Sequence, residues 1–238
     1  MDGEFSYLEW NKNVNRTLLC IHGYADNANK FEKLVKLLDS KYRVISLNLP
    51  MVSSTNDILT IQKLGAFVKK LCVLHNIKPD VVLGFSLGGV VALEYCHQTQ
   101  ETKKQLIMLN SLPKLFPPWP ILFKIYKLIK PLLLHKTALF LISRIWISKT
   151  SSELPTKLKK KNYKSILGTA INALTYDGLD TLNKLPLHKK IILFDDDALI
   201  NPKRYKKLIN NIGCEILIIK NGGHAVKQDY WVKVSKLI

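Results

Sequence analysis

Short apolar runs alternate along this chain with segments in which apolar residues recur every three or four positions. The runs are rich in β-branched side chains and are bounded by polar residues, which is typical of strands buried on both faces. They lie at 16–21, 42–47, 81–83 and 105–109. Of the helical segments, the one that carries Ile58 to Leu71 is expected to be capped by residues 55–57. Because strands and helices alternate, we predict an α/β fold with a mostly parallel sheet and helices on both faces.

The alternation breaks between residues 111 and 184. This stretch is rich in proline, large apolar side chains and lysine, and it is typical of helical hairpins inserted between two strands. Strand-like runs then return at 189–194 and 214–219, and between them Pro202 is expected to open a helix that runs through Leu208. We therefore predict an α/β core made of residues 1–110 and 185–238, with a helical cap at 111–184.

The most informative stretch is Gly84-Phe85-Ser86-Leu87-Gly88-Gly89, which follows a strand and precedes an apolar helix. A sharp turn between strand and helix would hold Ser86 at its apex, and small flanking residues would give it room. The hydroxyl would then be exposed beside the N–H groups that begin the helix. Ser86 is therefore a candidate nucleophile, and the alternative is a serine that merely occupies a tight turn.

A serine hydroxyl needs a base, usually a histidine, and a carboxylate that orients this base. Two loops at the carboxyl ends of the later strands supply both groups, at the edge where sites of such folds gather. His224 follows two glycines, so its loop can bend toward Ser86. The acid would come from the consecutive Asp195, Asp196 and Asp197, for which a divalent metal site is the alternative.

Acyl transfer also requires donors for the oxyanion. We expect the backbone N–H of Leu87, next to the nucleophile, and the N–H of Tyr24, in the turn after an earlier strand. The preceding His22 is expected to support that turn rather than to act as a second base.

The order Ser86, a late acid and a final His224, with His22-Gly23-Tyr24 and the glycine-rich turn, resembles the α/β-hydrolase superfamily. The resemblance extends over nearly the whole chain and implies that residues 111–184 form the variable cap of that family. It also implies that Asp197 is the acid, with Asp196 as the second choice, because the family's Gly-x-x-Asp pattern is matched here with Phe194 in place of glycine. The loop at 48–54 lacks the family's usual glycines. The substrate of a particular subfamily therefore cannot be assigned to this chain from the resemblance.

The resemblance implies hydrolysis of a carboxylic ester by a serine esterase, without a metal or an organic cofactor. The expected substrate pocket consists of aromatic residues from the turn and the cap: Phe85, Phe116, Trp119, Phe123, Tyr126 and Phe140. In the stretch after Phe123, a lysine recurs at every third position, at Lys124, Lys127 and Lys130. These lysines form either a solvated helix face or a docking site for an acidic acyl carrier protein or an anionic membrane. The core also resembles esterases that demethylate pimeloyl-carrier-protein methyl ester in biotin synthesis.

The net charge of +18 allows three interpretations: a generic lysine-rich surface, attraction to an acidic membrane or protein, or nucleic-acid binding, which no motif supports. The four cysteines are widely spaced and are expected to be free thiols in a reducing compartment. The first residues do not read as a secretory signal and no apolar run is long enough to span a membrane. We therefore expect a cytoplasmic protein, whose oligomeric state the sequence leaves open. The remaining alternatives are a hydrolase fold that binds without catalysis and a membrane-surface protein.

Overall fold

The structure is a computed structural model, and its described part covers most of the predicted core. Side chains are described throughout this part except at 163–167. The described residues are 6–24, 26–38, 40–50, 58–100, 104–115, 163–197, 199–224 and 230–238.

A seven-stranded sheet forms the centre of the molecule, in the order β1-β3-β2-β4-β5-β6-β7. Its first strand is antiparallel to its neighbour, and all the other pairings are parallel. The fold class predicted from the alternating pattern is therefore confirmed. The strands are β1 (Tyr7–Trp10), β2 (Thr17–Ile21), β3 (Arg43–Leu47), β4 (Val81–Phe85), β5 (Gln105–Leu109), β6 (His188–Phe194) and β7 (Glu215–Ile219).

Helices cover both faces of the sheet. The described helices are α1 (Glu32–Leu37), which follows a 3₁₀ turn at Ala28–Phe31, then α2 (Ile61–Leu74), α3 (Leu87–Thr99), α4 (Tyr163–Thr175), α5 (Leu179–Lys184), α6 (Lys206–Ile209) and α7 (Tyr230–Ser235). Side chains of α2 and α3 share one apolar core with one face of the sheet. Those of α1 and α7 share a second core with the other face. The central strands β2 and β4 are buried along their whole length, which explains why their sequences are continuously apolar.

The sheet register gathers several strand ends at one edge. Ile21 pairs with Gly84, Phe85 pairs with Leu109, and Phe194 pairs with Ile219. Because these strands are parallel, the loops that follow them leave the sheet on the same side. The turn at Ser86 and the later loops that carry the aspartates and His224 therefore meet there.

Two helix starts differ from the sequence-based prediction. The second helix begins at Ile61 rather than Ile58, because Thr60 is extended and its hydroxyl accepts a hydrogen bond from Lys63 N at 3.2 Å. Ile58 precedes the N-cap residue Thr60 and is half exposed. Pro202 does not open a helix either, since the chain turns there and α6 starts only at Lys206.

The two ends of the predicted insertion lie side by side. Lys114 and Asp177 form an ion pair and an isolated β-bridge, and Gly178 N donates to Pro113 O at 2.9 Å.

Within the described part of the chain, no helix is both long and apolar enough to cross a membrane.

Candidate active site

Ser86 occupies the sharp turn between β4 and α3. Its φ of 52° and ψ of −118° are strained for a residue with a side chain. The turn depends on its flanking glycines: a Cβ at Gly84 would lie 2.1 Å from Gly88 O, and one at Gly88 would lie 2.1 Å from Ile21 O. No residue larger than glycine fits either position without movement of the backbone.

His224 reaches Ser86 from the loop after β7, and its Nε2 lies 3.0 Å from Ser86 Oγ. The loop bends through Asn221 and Gly223, whose φ values of 63° and 66° fall in the left-handed region. The glycine between them is required for another reason: a Cβ at Gly222 would lie 2.0 Å from the Phe194 ring.

Asp197 lies behind the imidazole and is fully buried. Its Oδ2 lies 2.7 Å from His224 Nδ1, while its Oδ1 accepts hydrogen bonds from the N–H groups of Leu199 at 2.7 Å and Ile200 at 2.9 Å. An ionised carboxylate only accepts hydrogen bonds, so the imidazole proton belongs on Nδ1. Nε2 is then left with a lone pair directed at Ser86 Oγ.

The two neighbouring aspartates hold the histidine loop rather than the histidine ring. Asp195 Oδ1 accepts from Asn221 N at 2.8 Å, and Asp196 Oδ1 accepts from Gly223 N at 2.7 Å. The three adjacent carboxylates thus have three different partners. Among the described residues, no group of three or more His, Cys, Asp or Glu side chains could hold a metal ion.

Asn110, a residue that the sequence analysis missed, also holds the loop that carries His224. It follows β5, is completely buried, and donates from Nδ2 to the carbonyls of Gly223 at 3.0 Å and His224 at 3.1 Å. Its positive φ of 46° is a conformation that asparagine tolerates better than most residues. That left-handed preference was the available signal, but it becomes meaningful only once the sheet order is known.

The two expected oxyanion donors border one cavity beside Ser86. Leu87 is the first residue of α3, Tyr24 follows β2, and both line the cavity. His22 supports this turn: its Nδ1 donates to Gly23 O at 2.8 Å, and its Nε2 accepts from Leu49 N at 3.0 Å. Burial lowers the pKa of His22 below the usual histidine value, so it stays neutral and keeps both contacts.

The cavity itself has a volume of about 110 Å³ and is mainly apolar. Phe85 lines it, as the sequence analysis expected, and burial raises the pKa values of the two tyrosines in its wall. Tyr176 also donates to the buried Glu94 on α3 at 3.0 Å. The lining residues are Tyr24, Asp26, Lys30, Phe85, Ser86, Leu87, Val90, Ser111, Leu112, Leu115, Ala170, Ala173, Leu174, Tyr176, Leu199, Ile200 and His224.

The structure thus brings together the site residues predicted in the core, but its described part does not include those of the predicted cap. Ser86, His224, Asp197, Tyr24 and Leu87 all lie at the carboxyl edge of the sheet. The following predicted residues lie outside the described residues: Phe116, Trp119, Phe123, Tyr126, Phe140, Lys124, Lys127 and Lys130.

A strained serine on a strand–turn–helix, followed in the chain by an acid and a histidine, is typical of α/β hydrolases. Residues 16–142 match the family model described as alpha/beta hydrolase fold. The chain therefore belongs to the alpha/beta hydrolase fold family.

Sequence relatives match part of the chain. An uncharacterized hydrolase of Bacillus subtilis, YugF, is 33% identical over 116 residues, which cover 47% of this chain and 42% of that protein. A serine hydrolase-like protein of Mus musculus is 28% identical over 116 residues, with 47% of this chain and 37% of that protein covered. The chain spans less than half the length of these curated relatives.

Solved structures resemble the chain over almost its full length. An esterase from Exiguobacterium antarcticum gives a TM-score of 0.73 at 17% identity and covers 98% of this chain and 92% of its own. A bromoperoxidase from Bacillus anthracis gives a TM-score of 0.76 at 15% identity, with 98% and 93% covered. At these identities the likeness establishes the shared fold alone.

Proposed function

We propose that this chain is a serine hydrolase that cleaves carboxylic esters through an acyl-enzyme. The observation that carries the proposal is the continuous hydrogen-bond chain from Ser86 Oγ through the imidazole of His224 to Asp197. This arrangement converts an ordinary hydroxyl into a nucleophile.

In the first half of the reaction, Ser86 Oγ attacks the ester carbonyl carbon while its proton moves to His224 Nε2. Asp197 stabilises the imidazolium that results, and the N–H groups of Tyr24 and Leu87 hold the oxyanion. When the intermediate collapses, His224 returns the proton to the alcohol oxygen. The alcohol leaves, and the acyl group remains bound to Ser86.

In the second half, water takes the place of the alcohol. His224 removes a proton from this water as it attacks the acyl-enzyme, and the same proton then returns to Ser86 Oγ. The free acid leaves and the enzyme is restored. The steps need no group beyond these side chains, the two backbone donors and water.

A burst experiment tests this proposal. With excess p-nitrophenyl acetate, the first turnover should release about one equivalent of nitrophenol before a slower steady rate, because acylation by this activated ester is faster than deacylation and the acyl-enzyme accumulates. Ser86→Ala should abolish both phases. Ser235→Ala is a matched control, since that hydroxyl lies in α7, where it donates to Val232 O. A burst that persists in Ser86→Ala would contradict the proposal.

At finer detail, we propose that residues 111–184 form a cap over the site and that the substrate is an acyl chain on an acidic carrier protein, such as a carrier-bound methyl ester. The adjacent ends of the insertion at Lys114 and Asp177 support the cap. Three α4 residues, Ala170, Ala173 and Leu174, also line the cavity. The net charge of +18 supports an acidic partner.

The carrier proposal is tested by comparing the carrier-bound methyl ester with the same acyl methyl ester free in solution. We expect a higher kcat/KM for the carrier-bound form, and the difference should shrink as salt screens the charges. Equal values for both forms would contradict the carrier proposal and leave the esterase proposal intact.

The basic charge also supports a second candidate function, that of a lipase or thioesterase at an anionic membrane surface. Co-sedimentation with vesicles of anionic and neutral lipid separates the two candidates. Binding to anionic vesicles that weakens with rising salt would favour the membrane. Failure to bind either vesicle would contradict the membrane candidate. The location we propose is the cytoplasm, a reducing compartment that suits a buried thiol such as that of Cys20.

A further inference from the structure

One wall of the active-site cavity is charged. Asp26 precedes the 3₁₀ turn that follows β2, and Lys30 lies in it. Both residues line the cavity that holds Ser86 and His224. The wall contributed by α4 is apolar. An ester has two substituents, one on each side of its reacting carbonyl, so a cavity with unlike walls favours a substrate with unlike ends.

Lys30 is held in place from two sides. Its Nζ lies 3.4 Å from Asp26 Oδ2 and 4.6 Å from the centroid of the Phe85 ring, which is within the range of a cation–π contact. The Lys30 side chain is only 17% exposed. The ammonium is therefore positioned, and it is partly shielded from the water that would weaken its field.

The Phe85 ring connects this ammonium to the reacting groups. Phe85 immediately precedes Ser86, and its ring centroid lies 5.7 Å from that of His224. Lys30 and the imidazole thus contact the same aromatic side chain. The cavity beside Ser86 is therefore lined both by Phe85 and by the lysine whose ammonium lies over the Phe85 ring.

From this geometry we propose that Lys30 is a specificity-determining residue that binds a carboxylate on the ester substrate, with Asp26 as its counter-charge. The proposal rests on the esterase function above but not on the carrier proposal, because a carrier-bound methyl ester has no free carboxylate. It narrows the substrates to free esters that carry a second, negatively charged end. An ammonium has three N–H donors, so Lys30 can donate to a substrate oxygen while it keeps its contact with Asp26.

Asp26 sets the strength of this subsite in a predictable direction. Its carboxylate orients Lys30 but repels a second carboxylate that approaches the same ammonium. Removing the Asp26 charge should strengthen binding of an anionic substrate, whereas removing the Lys30 charge should weaken it. These opposite signs distinguish the subsite from a pair that serves only to stabilise the fold.

The test compares matched pairs of p-nitrophenyl esters, a neutral acyl ester and the mono-ester of the dicarboxylic acid of equal length, from succinate to suberate. The measured quantity is the ratio of kcat/KM for the anionic ester to that for the neutral one. For the best-fitting length, Lys30→Met should lower this ratio about tenfold, and Asp26→Asn should raise it. Methionine keeps an unbranched side chain of similar length and removes only the charge.

Lys33→Met is the matched control, because it removes the same charge from the exposed surface of α1. Its ratio should stay near the wild-type value. An unchanged ratio in Lys30→Met at every length, or a ratio that falls equally in Lys33→Met, would overturn the subsite. In that case, hydrolysis of the neutral esters would still support the esterase function. If the wild type hydrolysed no ester of the series, the esterase function itself would fail, and the subsite with it.

Discussion

The two oxygens of Asp197 have separate tasks. Oδ1 accepts the N–H groups of Leu199 and Ile200 and so fixes the carboxylate to its own loop. Oδ2 holds the Nδ1 proton of His224. Because the first oxygen anchors the group, the second can orient the imidazole, and the lone pair on Nε2 faces Ser86. The reactivity proposed for one hydroxyl thus depends on which nitrogen of one ring carries a proton.

Asp197→Asn should therefore leave the fold nearly unchanged and lower kcat by about 10⁴-fold. The amide oxygen of the new side chain could still accept the two N–H groups, but its NH₂ group would donate toward Nδ1 and place the imidazole proton on Nε2. That tautomer cannot accept the proton of Ser86. Steady-state kinetics on a p-nitrophenyl ester provide the measurement.

Asp196→Asn is the matched control, since it changes an adjacent carboxylate that contacts Gly223 N instead of the ring. We expect a far smaller decrease in kcat for this variant. Equal losses in the two variants would show that both aspartates act only by holding the loop.

Asn110 controls the same ring indirectly, through the two carbonyls that it binds. Asn110→Asp preserves size and suits the left-handed backbone, but an ionised carboxylate would repel both carbonyls. We expect kcat to fall by about 10-fold to 100-fold, with a smaller change in KM, because the imidazole is displaced rather than removed. Asn110→Gly should lose less, since it deletes the two donors without adding repulsion.

The proton resonance of His224 Nδ1–H provides a second readout for Asn110. In Asn110→Asp the displaced ring should shift or broaden this resonance, and the loss of kcat should ease at acidic pH as the new carboxyl becomes protonated and able to donate. A wild-type kcat and an unshifted resonance in Asn110→Asp would show that Asn110 does not position the base.

Among the larger elements, the histidine loop is matched to the end of β6. Phe194 is fully buried at the position where the family pattern has glycine, and its ring occupies the space that a side chain at residue 222 would need. The large Phe194 side chain thus fits because residue 222 has no side chain. The departure from the family pattern in one strand thus depends on a glycine in the next loop.

Gly222→Ala should destabilise the protein by about 1–3 kcal/mol, because the added methyl group overlaps the Phe194 ring. Phe194→Leu alone should also destabilise it. The double variant should lose less than the sum of the two single losses, as urea unfolding in a double-mutant cycle would show. Additive losses would mean that the two positions are independent.

The turn after β2 gives a prediction of pH dependence. His22 is neutral when folded because burial lowers its pKa, whereas in the unfolded chain it titrates near pH 6.5. Acidification therefore stabilises the unfolded state first. The contribution of His22 is complete above the unfolded pKa and is lost as the pH falls toward the lowered, folded pKa.

Wild type and His22→Asn should consequently differ most in stability near pH 7.5 and less near pH 5.5. Asparagine removes the titrating group, so its own stability should decline less over this interval. Urea unfolding followed by tryptophan fluorescence measures both proteins. A difference that stays constant across the interval would show that His22 does not titrate differently in the two states.

At the scale of the whole molecule, the sheet assembles the site from distant parts of the chain. Strand positions, the fold class, the Ser86 turn and the approach of His224 could all be predicted, because each depends on a local pattern or on the rule that parallel strands end together. Asn110 could not, because its partners follow β7 and come near it only through the pairings of β5 with β6 and of β6 with β7. The start of α2 was misplaced because a threonine inside the apolar pattern caps the helix.

The charged wall escaped sequence analysis for a related reason. Asp26 and Lys30 are spaced like an ordinary surface ion pair, and only the tertiary structure shows that they line the cavity beside Phe85. The division of tasks among the three aspartates has the same origin. Each carboxylate partners an atom on the adjacent loop, and that adjacency follows from the pairing of β6 with β7.

The most direct measurement is reaction of the purified chain with a fluorophosphonate, followed by intact-mass analysis and peptide mapping. We expect one adduct per chain, located on Ser86, which forms much more slowly in Asp197→Asn and is absent in Ser86→Ala. An adduct on any other residue, or equally fast labelling of the wild type and Asp197→Asn, would contradict the assignment of Ser86 as a nucleophile activated by His224 and Asp197.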